Sequence, residues 1–410
     1  MQNTRYLVYA SLLSMTFFLS PPTYANATPG CCEDHTTRLK KLEEKAVTSA
    51  STKIQLSGWL NRYIMSLDNG VDRNITHVDS GNYSSRFKIL ASHELNKETS
   101  LKTVLEVGMN PNSSYAVDLN NSQSNATAQS KISIRHVDIL LKNVNFGELQ
   151  MGRGYMSQAG ASYETDFSDT DAGAAGMSAP CSTGYALQFV DKDTKQKYTS
   201  LPLGLVFDTA DISRKDRIRY NTPAVFGFTA HTSHAHQNRG DIFDAAVRYN
   251  QEFAGAKIAG FASWLKDRST PALKYQAYHL AAGALLPIRM TDAKDTGLNI
   301  HFGTGKKTWK IYTQKGHIYF GKIGWIERFY SFGRTCLALD YGIFNHMSID
   351  SNNVAFRPRG KSFGLTLVQH LEPVSTQIIA AYRDYHFKNR QSNARYHKAH
   401  TVMLGVGIKL

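Results

Sequence analysis

From His400 to Leu410 the chain alternates: Val402, Leu404, Val406, Ile408 and Leu410 share one face of an extended segment, while Thr401, Met403, Gly405, Gly407 and Lys409 share the other. A strand with one apolar side must cover that side. This strand runs to the final carboxylate, so no later residues remain to close a water-soluble core over it. The expected cover is lipid.

The other end of the chain agrees with that solvent. Residues 1–27 read as a secretory signal, with one cation (Arg5), an apolar stretch from Leu7 to Leu19, two prolines and the small triplet Ala25-Asn26-Ala27. The apolar stretch is short of the roughly 20 residues a spanning helix needs. Mean hydropathy is −0.35 and no later apolar run could span as a helix. A transmembrane barrel fits both facts, because only alternate residues of each strand meet lipid. Export together with alternation predicts the outer membrane of a Gram-negative cell.

Charge narrows the function classes. The chain carries 47 Lys and Arg against 33 Asp and Glu, a net of +14, and loss of 1–27 would remove only Arg5. Such an excess suits nucleic acid, anionic lipid or an anion-handling cavity. Nucleic acid is excluded as a partner by export and by the spread of the cations along strands. Of the four cysteines, Cys31 and Cys32 are adjacent and poorly placed to bridge each other, which leaves an interchain disulfide or two free thiols. No C-x-x-C spacing marks a metal site, and no cofactor is expected.

Residues 28–51 are expected to form a short periplasmic helical or coiled-coil linker, with Leu39, Leu42 and Ala46 at heptad-like spacing, or else a solvated linker. From 52 to 410 the alternation predicts an all-β, antiparallel transmembrane β-barrel of about 16 strands. They fall near 53–66, 85–96, 100–109, 131–142, 148–156, 215–222, 226–235, 242–252, 257–266, 276–287, 296–304, 317–328, 332–345, 360–371, 376–387 and 400–410. Short connections such as 97–99 and 223–225 alternate with long ones such as 67–84 and 110–130, the asymmetry of outer-membrane barrels.

Facing follows from parity. Phe87 and Ile89 oppose Arg86 and Lys88; Leu105 and Val107 oppose Lys102 and Glu106; Ile218 and Tyr220 oppose Arg217 and Arg219; Phe243 and Val247 oppose Asp244 and Arg248. With the apolar face outward, the charges line the lumen. A polar inner face punctuated by glycine predicts a wet interior, since it cannot form a dry core.

At these residues the chain resembles the Gram-negative general porins. Ser85-Arg86, Glu94-Leu95 and Glu106 are similar to that family's second and third strands, and Arg135 with Gly147-Glu148-Leu149-Gln150-Met151-Gly152-Arg153 to its fourth and fifth. Asp216-Arg217-Ile218-Arg219-Tyr220-Asn221-Thr222-Pro223 with Phe226-Gly227-Phe228 resembles its sixth and seventh. The resemblance runs from about Leu56 to Leu410, and its specificity lies in the ordered set.

It implies a homotrimeric, non-enzymatic channel in outer-membrane lipid that passes ions and small hydrophilic solutes. It further implies that the long connection 157–213 folds inward as a constriction loop, so that Glu164, Asp166, Asp169 and Asp171 face a basic wall of Arg86 and Arg153, with Arg219 nearby. Arg217, Lys88, Lys102 and Arg248 extend that wall by parity. Opposed charges across a narrow aqueous gap would set up a transverse field, with a mild preference for anions. A hairpin is expected within Gly184 to Val206, and Cys181 could bridge Cys336 on the wall. Porin chains usually end in Phe; here Val406, Ile408 and Leu410 would supply the assembly signal.

Two other functions remain open at this level. A phosphate- or oligoanion-specific channel could use Arg86, Lys88, Lys102, Arg217, Arg219 and Arg248 as a ladder. A barrel hydrolase could recruit rim histidines such as His231, His234 and His236, although no Gly-x-Ser-x-Gly is present.

Overall fold

The computed structural model describes residues 52–123, 131–198, 202–237, 240–270, 274–288, 290, 295–310, 315–349, 357–390 and 393–410. The expected helix at 28–51, the signal and Cys31 and Cys32 lie outside them. Among the described residues no helix is long and apolar enough to cross a membrane.

The chain crosses instead with strands. They are β1 (Lys53–Asp68), β2 (Arg73–Val78), β3 (Ser85–Glu94), β4 (Thr99–Met109), β5 (Ile132–Asn143), β6 (Gly147–Tyr155), β7 (Phe189–Val190), β8 (Lys197–Tyr198), β9 (Arg214–Asn221) and β10 (Phe228–Gln237). β11 (Gly240–Phe253), β12 (Ala256–Asp267), β13 (Tyr275–Leu286), β14 (Gly297–Trp309), β15 (Lys315–Tyr330), β16 (Gly333–Asn345), β17 (Pro358–Leu371), β18 (Thr376–Asn389) and β19 (Ala399–Lys409) complete the set. Every long strand pairs antiparallel with its neighbours, and β1 closes on β19 from Trp59↔Lys409 to Asp68↔His400. The result is a closed barrel of 16 long strands. β2 was read as loop; it folds back on the upper half of β1 while β3 pairs with the lower half.

Closure satisfies every edge, which lipid requires. It also fixes the facing: Val402, Leu404 and Val406 are exposed on the outside, whereas Thr401 and Met403 are buried inside. Phe146, Phe226 and Phe253 stand exposed in the short turns, the aromatic belt of one membrane interface.

The lumen departs from the wet interior that alternation suggested. The connection from Met156 to Ser213 folds inside and packs a dry cluster against the wall: Phe207 meets Phe344 and Tyr385, Phe189 stacks on Phe387 at 3.9 Å, and Leu203, Val206 and Met177 are buried. Inner-face glycines make room for it. A Cβ at Gly283 would lie 1.7 Å from the Thr165 carbonyl oxygen, and one at Gly303 would lie 2.4 Å from the Met177 sulfur. The sequence pattern is therefore polar and small for two reasons, water on one flank and a packed loop on the other.

Candidate functional site

The inward loop is held by charge at its start, through Arg219 and Arg248, and near its end, where Lys307 meets Asp208 at 2.7 Å. It contains the short helices α1 (Ala161–Glu164) and α2 (Leu203–Val206), and the small β7–β8 hairpin lies within the segment where a hairpin was expected. Arg219 donates to the carbonyls of Met156 (3.2 Å) and Tyr155 (3.4 Å), and Arg248 donates to those of Ser157 (3.0 Å) and Ala159 (3.3 Å). Arg248 also meets Glu164 at 2.9 Å.

The remaining loop acids dock elsewhere. Asp166 receives Lys322 of β15 at 2.7 Å with both side chains fully buried, and Asp169 meets Arg334 (3.0 Å) and His370 (3.1 Å). Burial works against the Asp166 charge, but Lys322 overrides it and holds the carboxyl low, at about 2. Three of the four acids are thus fastened to Arg248, Lys322 and Arg334, not to Arg86, Arg153 or Arg219.

The fourth acid behaves differently. Asp171 lines a cavity of about 330 Å³ beside the wall of β3–β6 and β9, together with Asp211 from the same loop. Each acid has one carboxylate oxygen sealed from water without a hydrogen-bond partner among the described residues. Burial pushes Asp171 up to about 7, helped by the nearby Asp166 and Asp169 charges. Burial likewise lifts Asp211 to about 6, partly offset by the Gly160 N–H that donates to it.

Three arginines line the same cavity: Arg86, Arg135 and Arg214. Arg86 stands over the Tyr83 ring at 4.4 Å and Arg214 over the Tyr155 ring at 4.2 Å. Arg135 owes its place to a β-bulge, because Glu106 pairs with His136 and Val107 with Ile134, leaving Arg135 as the extra residue. A bulge re-aims side chains, and here both Arg135 and His136 reach inner-wall partners: Arg135 binds Glu106 and Ser84, and His136 packs against Tyr155. Among the described residues Glu106 is the one acid paired with the trio, so the trio is in cationic excess on the wall. Tyr83, Tyr115, Tyr155 and Tyr163 are also in the lining.

The other residues singled out from sequence have other positions. Arg153 shares the outer face with Met151 and pairs with Asp216 at 3.5 Å, so it does not line the pore. Arg217 is buried in a two-pronged pair with Asp138 (2.8 and 2.6 Å) and is closed to solutes. Lys88 and Lys102 are half-buried on the inner face of β3 and β4, without an ion pair among the described residues. Val406, Ile408 and Leu410 face outward, and Leu410 closes on Gly58 through two 3.0 Å backbone bonds. Cys181 and Cys336 are both free thiols, so the bridge that could have tethered loop to wall is absent. Cys181 contacts the carbonyls of Gly204 and Phe207, and burial raises its pKa to about 12.

Sequence reasoning missed Arg214, Asp211 and the tyrosines. Arg214 stands at the junction of loop and strand, where parity stops being informative. Arg135 was noticed only within a family motif, since the bulge breaks its alternation.

A family profile described as Gram-negative porin matches residues 46–390. Among curated proteins none matches. Solved structures similar to the barrel include the anion-selective porin from Comamonas acidovorans, with a TM-score of 0.58 at 15% identity over 88% of this chain and 100% of that one. In-vitro folded OmpT of Vibrio cholerae gives 0.54 at 11% identity over 89% and 99%. OmpF of Salmonella typhi in complex with daunomycin gives 0.53 at 13% identity over 88% and 98%.

Proposed function

The chain belongs to the Gram-negative porin family, an outer-membrane channel for passive diffusion of solutes, and on that premise we propose that it prefers anions. The observation that carries this is the excess of Arg86, Arg135 and Arg214 over Glu106 on the wall, facing loop acids whose burial favours the neutral form. A cation lining a water-filled gap lowers the energy of an anion there by about 0.6 kcal/mol at ~7 Å, close to threefold in occupancy. The similar porin from Comamonas acidovorans is described as anion-selective, but at 15% identity it speaks for the fold.

Reversal potential across a planar bilayer in a KCl gradient at pH 5, where Asp171 and Asp211 are both neutral, tests the reading. Chloride preference supports it; neutral or potassium preference removes it. Lys88 and Lys102 on the same wall favour a second reading, a short cationic ladder for phosphate or oligoanions. Block of chloride current by micromolar phosphate would select that reading.

The proposal also takes residues 1–27 as a cleaved export signal, 28–51 as a periplasmic linker and the assembly as a homotrimer. N-terminal sequencing and native mass spectrometry of the outer-membrane protein check these parts. With the family established, the channel accounts for the chain and a catalytic role for His231, His234 or His236 loses its motive. His234 and His236 meet Asp241 at 3.2 and 2.9 Å beside the β10–β11 connection.

A further inference from the structure

Where the loop acid Asp169 docks, the wall supplies more than a countercharge. Asp169, Cys336 of β16 and His370 of β17 bring a carboxylate oxygen, a thiol sulfur and a ring nitrogen within 4.8 Å of one another. Register explains the wall half of this cluster. Cys336 pairs with Val368, and Val368 and His370 follow one another on the inner face of β17, so His370 stands one inner-face step from Cys336. Asp169 completes the set from the loop side, with its Oδ2 3.1 Å from His370 Nε2.

The His370 ring is placed as a ligand and not as a donor to that carboxylate. Nε2 is sealed from water and, despite the short distance, makes no hydrogen bond among the described residues. His370 is only 5% exposed, so this nitrogen has no solvent to turn to. A buried nitrogen without a partner is a cost that a bound ion would remove. On the other side of the ring, Nδ1 lies 3.4 Å from the side-chain amide of Gln377, the residue directly opposite on β18. A half-turn of that amide presents its oxygen, so that Nδ1–H donates to it and the Nε2 lone pair is left free. Metal-bound histidines are oriented by an outer partner of this kind.

The donor set selects the ion. A thiolate, an imidazole and a carboxylate together suit zinc, whereas magnesium and calcium demand oxygen ligands. One zinc ion holds a nitrogen and an oxygen about 3.4 Å apart and a nitrogen and a sulfur about 3.6 Å apart, so a side-chain movement of about 1 Å closes the cluster on it. Charge balances as well. The Cys336 thiol releases its proton to solvent as the sulfur–metal bond forms, and the thiolate with the Asp169 carboxylate neutralises the dication. Arg334, 3.0 Å from Asp169, retains Glu372 at 3.4 Å as a second partner. The Asp169 side chain is 34% exposed, which gives an ion its way in. We propose that Asp169, Cys336 and His370 bind one zinc ion, with water in the fourth position, and that the ion ties the inward loop to β16 and β17. The proposal is independent of ion selectivity in the lumen.

The test uses the full-length, reduced protein in detergent, stripped of metal with a chelator and titrated with cobalt(II), whose bond to a thiolate absorbs in the near ultraviolet. That charge-transfer band should saturate at one ion per chain and vanish when zinc is added. Cys336→Ser should abolish it. Gln377→Leu, which removes only the outer partner of the ring, should weaken cobalt binding by about 10- to 100-fold, and Asp169→Asn or His370→Gln, which remove ligands, by more. Cys181→Ala and the Cys31→Ser, Cys32→Ser variant should keep the band, which separates this site from the other thiols. Heat-modifiable gel mobility verifies that every variant is folded. As a second readout, zinc should slow proteolytic cutting within 157–213 in wild type and have no effect on it in Cys336→Ser. Absence of the band in wild type, its survival in Cys336→Ser, its loss with Cys31 and Cys32, or its indifference to both Asp169→Asn and His370→Gln overturns the proposal. Zinc that binds through Cys336 yet leaves the cutting rate unchanged overturns the tether.

Discussion

Two rows inside the barrel and one cavity use the same side chain to opposite ends. In the rows Asp138–Gly152–Arg217 and Asp340–Gly364–Arg383, an acid, a glycine and an arginine stand in register on three adjacent strands. Each arginine reaches across the middle strand to grip its carboxylate with two nitrogens, at 2.8 and 2.6 Å in the first and 2.6 and 2.8 Å in the second. In the second row the middle glycine leaves space for that reach, since a Cβ at Gly364 would lie 2.4 Å from the Arg383 guanidinium; in the first row the space is left by Gly154, two residues along β6, where a Cβ would lie 2.4 Å from the Arg217 guanidinium. Around the 330 Å³ cavity, by contrast, Arg86 and Arg214 rest on tyrosine rings and have no carboxylate partner among the described residues. Counting arginines on an inner wall does not measure what a solute meets. Arginines with a matched acid build the wall, and those left over set its potential.

The loop is fastened by the first kind of interaction, so the largest effect is expected there. Lys322→Met would strand the Asp166 carboxylate in a buried setting, a cost of about 3–5 kcal/mol for a broken buried pair. Limited proteolysis of the folded barrel should then cut within 157–213 far faster than in wild type. The double variant Lys322→Met, Asp166→Asn should recover most of the resistance, because it removes both charges. An unchanged cleavage rate in the single variant would mean that the dry cluster of Phe189, Phe207 and Phe344 holds the loop without help from the ion pair.

Next comes the contrast between open and closed arginines. Arg86→Gln with Arg214→Gln should lower the chloride-to-potassium permeability ratio by roughly five- to tenfold, two steps of about threefold each. Arg217→Gln should leave that ratio nearly unchanged and instead lower the temperature at which the barrel unfolds, since Asp138 loses its partner. Equal effects of the two on the reversal potential would erase the distinction.

A pH series sharpens the same contrast by a smaller amount. Asp171 and Asp211 have folded pKa values raised to about 7 and about 6 by burial, so both are charged at pH 8 and both are protonated by pH 5. Three arginines against Glu106, Asp171 and Asp211 balance at pH 8; against Glu106 alone they leave an excess of two positive charges at pH 5. Anion preference should therefore rise as pH falls from 8 to 5. The Asp171→Asn, Asp211→Asn variant should show the pH 5 selectivity already at pH 8 and be flat between them.

The architecture was legible because lipid imposes a period of two on every strand. All 16 long strands fall within a few residues of their expected places, and the lipid-facing residues of β3, β4, β9, β11 and β19 have the expected parity. The site was legible only where it obeyed that period. Arg86 lines the cavity, but Arg135 sits on a bulge and Arg214 at a loop junction, where alternation gives no direction. Asp138 and Arg217 lie 79 positions apart, and nothing local reveals that they share a row with Gly152. The dry half of the lumen was illegible for a related reason: small residues that admit a packed loop and small residues that admit water read alike.

Arg153 gives the smallest predicted effect and isolates that period-two rule from family likeness. Its motif, Gly152-Arg153 at the end of β6, resembles a porin pore-wall arginine, yet its parity with Met151 puts it outside, paired across β9 with an exposed Asp216. An exposed pair of this kind contributes about 0–1 kcal/mol, and the barrel wall separates it from the lumen. Arg153→Gln should therefore leave the reversal potential within about 10% of wild type at 0.1 M salt, where the Debye length of about 10 Å screens charge on the far side of the strand. A shift as large as that of Arg86→Gln would mean that position outweighs parity at this strand end, and that Gly152, with its positive φ of 124°, twists β6 enough to turn Arg153 inward.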